Sequence, residues 1–312
     1  MTDSVVPVPG SIPLELQRCG FIALLGIPNA GKSTLLNGLV GSKISIVSPK
    51  VQTTRQRILG IVMESPAQLI FVDTPGVFST PKRRLERAMV SAAWSGAKDA
   101  DLVMLLVDAV EGFGPEEQLM LAKLVESQRR LVLTINKIDL VPRMQLLPLI
   151  DAVTAAAKFE TVFLVSALSG DGVAEMRRQL ATLVPVSPYL YPEDELSDIP
   201  MRSLAAELTR EQLFKALFDE LPYELMVETL KWQEFDNGSV RIEQEITVTR
   251  EGQRAIILGH QGAMIKRIGA AARVEIGKFL ERPVHLFLHV RVRADWTSSP
   301  EAFRTMGLDY DS

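Results

Sequence analysis

The sequence predicts two domains: an α/β domain with a mostly parallel sheet and helices on both of its faces, then a smaller α+β domain. Short apolar runs alternate with helical patterns up to about residue 183, where a proline-rich acidic stretch ends the alternation. A different order of elements follows the prolines. The length of 312 residues is also greater than one hydrophobic core usually supports.

The first domain is expected over residues 18–184, after a flexible extension of residues 1–17. Its runs FIALLGI, QLIFV, DLVMLLV, RLVLTI and TVFLV have the length and continuous apolarity of strands that are buried on both faces. Helical patterns lie between these runs, which is the βαβ order of a parallel sheet.

The stretch VPVSPYLYPEDELSDIP predicts an extended linker over residues 185–200, because prolines among acids suit no regular element. The second domain is then expected over residues 201–312. Its patterns predict an amphipathic helix at 202–219, two strands at 225–234 and 239–249 joined by a DNG turn, a short helix from 253, a longer helix to 280 and a strand at 284–292.

Composition excludes several classes of protein. Apolar residues form 47 % of the chain and charged residues 23 %, which is not the composition of a disordered chain. The single cysteine, Cys19, cannot form an internal disulfide, and the chain begins without the pattern of a secretion signal. No apolar stretch reaches the roughly 20 residues that span a bilayer. We therefore expect a cytoplasmic protein.

Residues 26–33, GIPNAGKS, directly follow the first predicted strand and begin the first predicted helix. The glycines of this spacing let backbone N–H groups turn toward phosphate oxygens, and the helix N-terminus adds its positive end. The lysine of the motif reaches the β- and γ-phosphates, and the serine hydroxyl binds Mg²⁺. The predicted nucleotide contacts of this loop are Gly26, Pro28, Asn29, Ala30, Gly31, Lys32, Ser33 and Thr34.

Two further motifs follow at the ends of predicted strands. In VDTPG, Asp73 can hold the outer shell of the magnesium ion, and the amide of Gly76 can sense a γ-phosphate. In NKID, the Asp139 carboxylate can accept hydrogen bonds from N1–H and the 2-amino group of guanine, while Asn136 and Lys137 brace the loop. A later triplet is placed to offer a backbone N–H to the guanine oxygen; its residues are Ser166, Ala167 and Leu168.

These motifs, in this order, resemble the translation-factor class of P-loop GTPases. The resemblance implies GTP and GDP as ligands and a first switch at QTTR, where Thr54, in preference to Thr53, would complete the magnesium shell with Ser33 and Asp73. Residues 43–57 are expected to be ordered by the γ-phosphate and loosened after hydrolysis. The predicted catalytic groups are Lys32, Thr54 and Gly76.

Two positions bear on the rate of the reaction. Val77 stands where many GTPases have a glutamine that orients the attacking water, and valine cannot polarise water, so slow intrinsic hydrolysis is expected. Asn29 resembles the asparagine through which some bacterial GTPases recruit K⁺, which raises the hypothesis that potassium stimulates turnover. Equal turnover in sodium and potassium buffers would exclude this hypothesis.

The charge distribution indicates an anionic partner for the second domain. Residues 201–246 carry five Lys and Arg against ten Asp and Glu, whereas residues 247–293 carry nine against three. The basic residues surround the loop GHQG, residues 259–262, and such a concentration of charge is typical of phosphate binding. In the helix after the loop, an apolar stripe is interpreted as core; it consists of Ile265, Ile268, Ala272, Ile276 and Phe279.

The stretch LGHQGAMI between two helices resembles the signature of a KH domain, and the element order resembles the KH variant of bacterial ribosomal and assembly proteins. Glycines let a nucleic-acid backbone come close, and single-stranded bases can lie across the adjacent sheet. Many such loops carry a basic residue between the glycines; this one does not, so its basic neighbours are expected to supply more of the attraction. The predicted RNA contacts are Gly259, His260, Gln261, Gly262, Lys266, Arg267 and Arg273.

Together, GIPNAGKSTLLN, QTTR, DTPG and NKID, a proline-rich linker and LGHQGAMIKRIG resemble the Era-type family of bacterial GTPases with a C-terminal KH domain. The resemblance implies Mg²⁺-dependent GTP hydrolysis, binding to the 3′ end of small-subunit (16S) ribosomal RNA and a role in small ribosomal subunit assembly. It further implies GTP-dependent engagement of RNA, with some peripheral contact with the cytoplasmic face of the inner membrane. We expect a monomer and no DNA partner.

Two other readings of the motifs stay open at this point. The main alternative is a GTP-dependent signalling switch that docks its basic face on anionic lipid or on a protein, and liposome co-sedimentation against oligonucleotide competition separates it from RNA binding. A metabolic P-loop ATPase or kinase fits NKID less well. As a mechanism, we hypothesise that GTP and Mg²⁺ order residues 43–57 and the segment after Gly76, so that one nucleotide state exposes the RNA-binding face and the other hinders it.

Overall fold

The computed structural model describes residues 12–48, 50, 54–55, 57–76, 83–218 and 221–311. Within these ranges the chain forms a six-stranded sheet followed by a three-stranded sheet, each covered by helices. The strands and helices are β1 Arg18–Leu25, α1 Lys32–Val40, β2 Ile58–Glu64, β3 Ala67–Asp73, α2 Arg84–Asp99, β4 Leu102–Asp108, α3 Pro115–Glu126, β5 Leu131–Asn136, α4 Leu146–Ala156, β6 Val162–Leu164, α5 Val173–Leu183, α6 Met201–Ala216, β7 Leu225–Glu234, β8 Val240–Val248, α7 Glu251–Leu258, α8 Ala263–Leu280, β9 Val284–Val292 and α9 Pro300–Thr305.

The first sheet has the order β2-β3-β1-β4-β5-β6, and its strands are parallel except for the antiparallel edge strand β2. Alternate residues of β1 enter two cores, because successive side chains of a strand point to opposite faces. Ile22 and Leu24 pack with α1 and α5, whereas Ala23 and Leu25 pack with α2, α3 and α4. The predicted mostly parallel sheet with helices on both faces is confirmed.

The edge strand β2 is not among the predicted strands. Its sequence, ILGIVME, directly follows the polar switch region and contains a glycine, which weakens the signal of a strand. A Cβ atom at Gly60 would lie 2.5 Å from Leu36 Cδ1, so glycine lets α1 pack directly on this backbone. Gly60 therefore allows α1 to pack closely on β2, and the same glycine weakens the strand pattern in the sequence.

The predicted linker is extended but hydrogen-bonded along the outer edge of the first sheet. The N–H of Ile61 donates to the carbonyl of Leu196 over 2.9 Å, and Ser197 Oγ donates to the Leu59 carbonyl over 2.6 Å. Gln68 Nε2 donates to the carbonyl of Tyr191 over 2.8 Å. These bonds cover part of an edge strand whose polar groups would otherwise face solvent.

The second sheet has the order β7-β8-β9, with β7 antiparallel and β9 parallel to β8. The order α-β-β-α-α-β is confirmed, as is the apolar stripe of α8. Ile268, Ala272 and Ile276 are buried, and Ile265 and Phe279 pack against the same cores.

Helix α6 differs from its prediction in length and environment. It ends at Ala216, and Asp219, at the predicted end, lies outside the described residues. The predicted helix forms, but its polar residues Thr209, Arg210 and Glu211 are all buried and do not face solvent. Thr209 Oγ1 donates to Gln244 Oε1 of β8 over 2.6 Å, whereas Glu211 contacts the first domain, so these polar groups face protein where the pattern indicates water.

A second contact between the domains comes from the C-terminal residues, where α9 was not predicted. Trp296 and Phe303 are buried in one cluster with Leu85 and Met89 of α2 and with Met226 of β7. The two domains therefore share an apolar core as well as polar contacts. None of the described helices combines the length and the apolarity that crossing a membrane requires.

Candidate functional site

The predicted phosphate loop connects the end of β1 to the start of α1. Gly31 has φ 95°, and a Cβ atom there would lie 2.2 Å from Asn136 Nδ2, so only glycine fits. Lys32 is 6 % exposed, and its Nζ donates to the carbonyls of Gly26 and Ile27, both over 2.9 Å. Burial lowers the pKa of Lys32 to about 8, against the opposing charge of Asp73. A phosphate group beside Lys32 would favour its protonated form.

A cavity with an empty volume of about 1330 Å³, counted to its open mouth, lies against this loop. It sits at the carboxyl ends of the parallel strands, where ligands of open α/β sheets bind. Its lining includes half of the predicted nucleotide contacts, together with the predicted magnesium ligand Thr54. These contacts are Pro28, Asn29, Gly31, Lys32, Ser33, Thr34, Gly76 and Lys137, whereas Asp139 and the SAL triplet lie outside the lining.

The predicted magnesium ligands converge beside this cavity. Ser33 Oγ lies 2.8 Å from both Thr54 Oγ1 and Asp73 Oδ2, and Thr54 Oγ1 lies 3.0 Å from the same carboxylate oxygen. Asp73 Oδ1 is buried without a hydrogen-bond partner among the described residues. Burial raises the pKa of Asp73, against the opposing charge of Lys32.

This group of hard oxygen donors around an unsatisfied buried carboxylate fits Mg²⁺. Ser33, Thr54 and Asp73 are the residues that would hold the ion, and the bound ion would neutralise charge on phosphate oxygens. Thr53, the alternative to Thr54, lies outside the described residues.

The NKID motif joins the phosphate loop to the predicted base site. Asn136 Nδ2 donates to the carbonyl of Ala30 over 2.9 Å, and Asn136 Oδ1 accepts from the N–H of Ala167 over 3.0 Å. Lys137 has φ 63° and forms an ion pair with Asp108, a buried residue at the end of β4 that the sequence did not single out. Asp139 is exposed, and its carboxylate makes no hydrogen bond to a described residue. It is therefore available to a base.

The structure shows which backbone N–H of the SAL triplet is available to donate to the guanine oxygen. Because the N–H of Ala167 is used by Asn136, it is not free in this arrangement. Ser166 is buried, and its hydroxyl accepts from the N–H of Ser169 over 3.2 Å. Among the described contacts, the N–H of Leu168 has no acceptor, which makes it the available donor of the triplet.

Gly76 approaches the phosphate loop closely, since a Cβ atom there would lie 3.0 Å from Pro28 Cα. Gly76 therefore lies against the phosphate loop, and the sensing of a γ-phosphate by its amide stays a prediction. Asn29 lines the cavity in a left-handed conformation, with φ 66°, and its role toward potassium stays a prediction. Val77, on which the prediction of slow hydrolysis depends, lies outside the described residues.

Residues 43–57, called the switch segment from here on, contact the second domain through Glu211 of α6. Lys43 Nζ lies 2.6 Å from Glu211 Oε2, and the N–H of Val47 donates to Glu211 Oε1 over 3.1 Å. The Glu211 side chain is 2 % exposed. Sequence reasoning missed this residue, because an acid on a helix normally indicates a solvated face.

Two more residues of the switch segment bind backbone carbonyls of the second domain. Lys50 Nζ donates to the carbonyls of Phe214 and Leu217 at the end of α6, where a helix leaves carbonyls unpaired. Arg55 Nη1 donates to the Leu225 carbonyl over 2.6 Å, and its Nη2 donates to the Tyr223 carbonyl over 2.9 Å. Arg55, the residue next to Thr54, therefore connects the switch segment to the second domain.

The GHQG loop lies between α7 and α8 and has an unusual backbone. Gly259, Gln261 and Gly262 have φ values of 69°, 52° and 76°. A Cβ atom at Gly259 would lie 2.7 Å from Met264 Cβ, so this position requires glycine. His260 and Gln261 are exposed at the tip. The turn presents backbone to solvent just before the N-terminus of α8.

The structure divides the basic residues around this loop into two sets. Those in ion pairs with described carboxylates are Arg250, Arg254, Lys278, Arg282 and Arg291. Lys266, Arg267 and Arg273 on α8, and Arg293 after β9, are exposed and form no ion pair with a described carboxylate. The predicted RNA contacts are therefore among the basic residues of this region whose charge is available to a ligand.

Comparison with known proteins agrees with this geometry. A sequence profile of 50S ribosome-binding GTPases matches residues 21–137, and a KH domain profile matches residues 220–297. The fold and the site define a P-loop GTPase with a C-terminal KH domain. GTPase Era of Afipia carboxidovorans is 56 % identical over 97 % of this chain and 99 % of that protein, and GTPase Era of Brucella suis is 51 % identical over 99 % of both. The chain belongs to the Era family of GTPases.

Two solved structures of Era resemble the fold, each with a TM-score of 0.88, 37 % identity, and coverage of 93 % of this chain and 99 % of the other. One is a variant from Aquifex aeolicus bound to GDP·AlF₄⁻. The other is Era in complex with MgGDPNP and nucleotides 1506–1542 of 16S ribosomal RNA.

Proposed function

We propose that this GTPase binds GTP with Mg²⁺, binds the 3′ end of small-subunit (16S) ribosomal RNA, and acts in small ribosomal subunit assembly. The observation that carries the RNA proposal is the GHQG turn, whose left-handed backbone lies beside the exposed Lys266, Arg267 and Arg273. A solved relative in complex with nucleotides of 16S ribosomal RNA supports the same partner.

An apolar groove next to the turn adds a surface for bases. It is lined by Leu217, Phe218 and Leu221 on one side and by Ile256 and Met264 on the other. Phe218 and Ile256 are exposed, so aromatic and aliphatic surface is available for stacking. The turn would hold the backbone of a single strand while the groove receives its bases.

The first test is a titration of single-stranded RNA that matches the 3′ end of the small-subunit rRNA into protein loaded with a GTP analogue. The double variant Gly259→Asp, Gly262→Asp is expected to bind at least roughly tenfold more weakly, because each carboxylate strains a left-handed residue and repels a phosphate. Fluorescence anisotropy measures the affinity.

The matched control is Gly238→Asp, which places the same side chain at a left-handed glycine, φ 78°, with open space around it in the turn between β7 and β8. It should bind RNA as the wild type does. An absence of binding by folded wild-type protein would contradict the proposal and return attention to a membrane or protein partner.

The contacts of the switch segment also suggest how nucleotide and RNA binding are coupled. Thr54 lies in the magnesium site, while the adjacent Arg55 holds carbonyls of the second domain. Lys50 binds the end of α6 and lies 5.2 Å from the centre of the Phe218 ring, which lines the apolar groove. A change in the switch segment after hydrolysis would therefore reach the RNA surface through Lys50 and α6.

We expect wild-type protein to bind the RNA with affinities that differ by about tenfold between a GTP analogue and GDP, an ordinary size for coupling between sites. The Glu211→Gln variant should lower this ratio toward one, because it removes the closer of the two carboxylates that pair with Lys43. Glu175→Gln, which breaks an exposed ion pair with Arg178 on α5, is the control. Equal RNA affinity in both nucleotide states of the wild type would refute the coupling.

We further propose that the protein acts in the cytoplasm as a monomer and contacts the inner membrane only peripherally. Co-sedimentation with liposomes of anionic lipid measures that contact. Binding that RNA oligonucleotides displace would place the lipid and RNA surfaces on the same basic face.

A further inference from the structure

A second cavity lies at the boundary between the two domains, and its lining shares no residue with that of the nucleotide cavity. It has an empty volume of about 720 Å³, counted to its mouth, and we call it the seam cavity. Its walls come from the switch segment, from one face of α6 and from β7. The charged and hydroxyl-bearing residues that line it are Arg55, Arg202, Ser203, Glu207, Arg210, Glu228 and Thr229.

Arg55 brings an unsatisfied hydrogen-bond donor to this cavity. The residue is 4 % exposed, and its terminal nitrogens already bind backbone carbonyls. Its Nε is buried and has no hydrogen-bond partner among the described residues. A buried donor of this kind normally has an acceptor, and Arg55 is one of the residues that line the cavity.

The first turn of α6 forms another part of the wall. No side chain caps this end of the helix, and its first turn contains no acidic residue, so the positive end of the helix is not neutralised locally. Arg202 and Ser203 of this turn line the cavity. Arg202 is exposed, and its guanidinium makes no hydrogen bond or ion pair with a described residue.

The carboxylates of the cavity leave these donors available. The carboxylate of Glu207 accepts a hydrogen bond from Arg210 Nε over 2.9 Å, so it is paired with another residue of α6. Glu228 lines the cavity from β7. No described carboxylate forms an ion pair with Arg55 or Arg202.

We propose that the seam cavity binds a small oxyanion of the phosphate type between Arg55 of the first domain and the first turn of α6 in the second. A tetrahedral oxyanion can accept hydrogen bonds from two guanidinium groups and a hydroxyl at once. Because its ligands come from both domains, the anion stabilises the docked arrangement of the switch segment. The residues that line the seam cavity are not among the predicted RNA contacts.

The test is a calorimetric titration of inorganic phosphate into protein saturated with Mg²⁺ and a non-hydrolysable GTP analogue, so that the phosphate loop is already filled. Ionic strength is held constant with chloride. The wild type should bind phosphate saturably and unfold at a higher temperature in its presence. The double variant Arg202→Gln, Ser203→Ala should bind roughly tenfold to a hundredfold more weakly, since it loses charge-assisted hydrogen bonds.

Arg241→Gln is the matched control, because Arg241 is an exposed arginine of the same domain that lies on β8, outside the seam cavity. It should bind phosphate as the wild type does. Equal phosphate affinity in the wild type and the double variant, or a response that does not saturate, would overturn the proposal.

A parallel titration with ribose 5-phosphate distinguishes the sources of the phosphate group. Binding of inorganic phosphate alone supports a site for the free ion. Binding of both ligands, each weakened in the double variant, supports a site that also takes phosphate monoesters. Binding of neither ligand would exclude the site.

Discussion

Exchange of Asp139 for asparagine is expected to reverse the base preference of the nucleotide site, from guanine to xanthine. The carboxylate is exposed in the turn after β5 and free to accept from N1–H and the 2-amino group of guanine. The side-chain amide of asparagine places an N–H donor opposite the 2-amino group of guanine, which is also a donor. Xanthine has a carbonyl oxygen, an acceptor, at the same position of the ring. Sites that pair polar groups in this way discriminate by roughly 10⁴-fold, so the loss for GDP should be of similar order.

Fluorescence titrations with GDP and with xanthosine diphosphate measure this reversal. Asp171→Asn is the matched control, because Asp171 is an exposed carboxylate that lines the same surface pocket beside Asp139. It should leave the preference for GDP unchanged. An Asp139→Asn variant that still prefers GDP would show that the base is selected by other groups, such as the N–H of Leu168.

Exchange of Lys32 for methionine is expected to remove hydrolysis while leaving the ligand-free fold intact. Loss of the ammonium group should weaken nucleotide binding by roughly tenfold to a hundredfold, and should lower turnover by a further 10² to 10³, roughly, because charge develops on the phosphate oxygens.

Ligand-free stability should change little in this variant, because two effects oppose each other. Methionine removes a buried ammonium whose pKa is already lowered to about 8, and it also leaves the carbonyls of Gly26 and Ile27 without a donor. Phosphate release, GDP titration and thermal unfolding measure the three quantities. The surface variant Lys98→Met is the control, and a large loss of ligand-free stability would contradict this account.

Much of the nucleotide site is predictable from local sequence, because its residues lie in short motifs at the ends of strands. Lys32, Ser33, Asp73 and Asn136 each follow a continuous apolar run, and parallel strands bring their carboxyl ends to one edge. Thr54 required the resemblance to known GTPases, since nothing in QTTR separates it from Thr53. Asp108 was missed because a lone acid at a strand end carries no motif.

In the C-terminal domain, too, some features are predictable from local sequence and others are decided only by the fold. The stripe of α8 and the glycines of GHQG follow from spacing, but the charge count treats the nine basic residues between 247 and 293 alike. Only the fold brings Glu224 near Arg250 and Glu234 near Arg282, so that their charges are satisfied within the protein. Lys266, Arg267 and Arg273 then stand apart as groups available to a ligand.

The linear pattern was sufficient for the parallel strands of the first sheet, the α-β-β-α-α-β order of the second domain and the nucleotide motifs, because each of these depends on residues close together in the chain. It was not sufficient for β2 and α9. The contacts between the domains depended on three-dimensional packing. Glu211 lies 168 residues beyond Lys43, and Leu225 lies 170 beyond Arg55. An acid on a helix or a basic residue in a polar loop has the same local pattern whether water or protein faces it, so only packing separates a solvated charge from one that joins two domains.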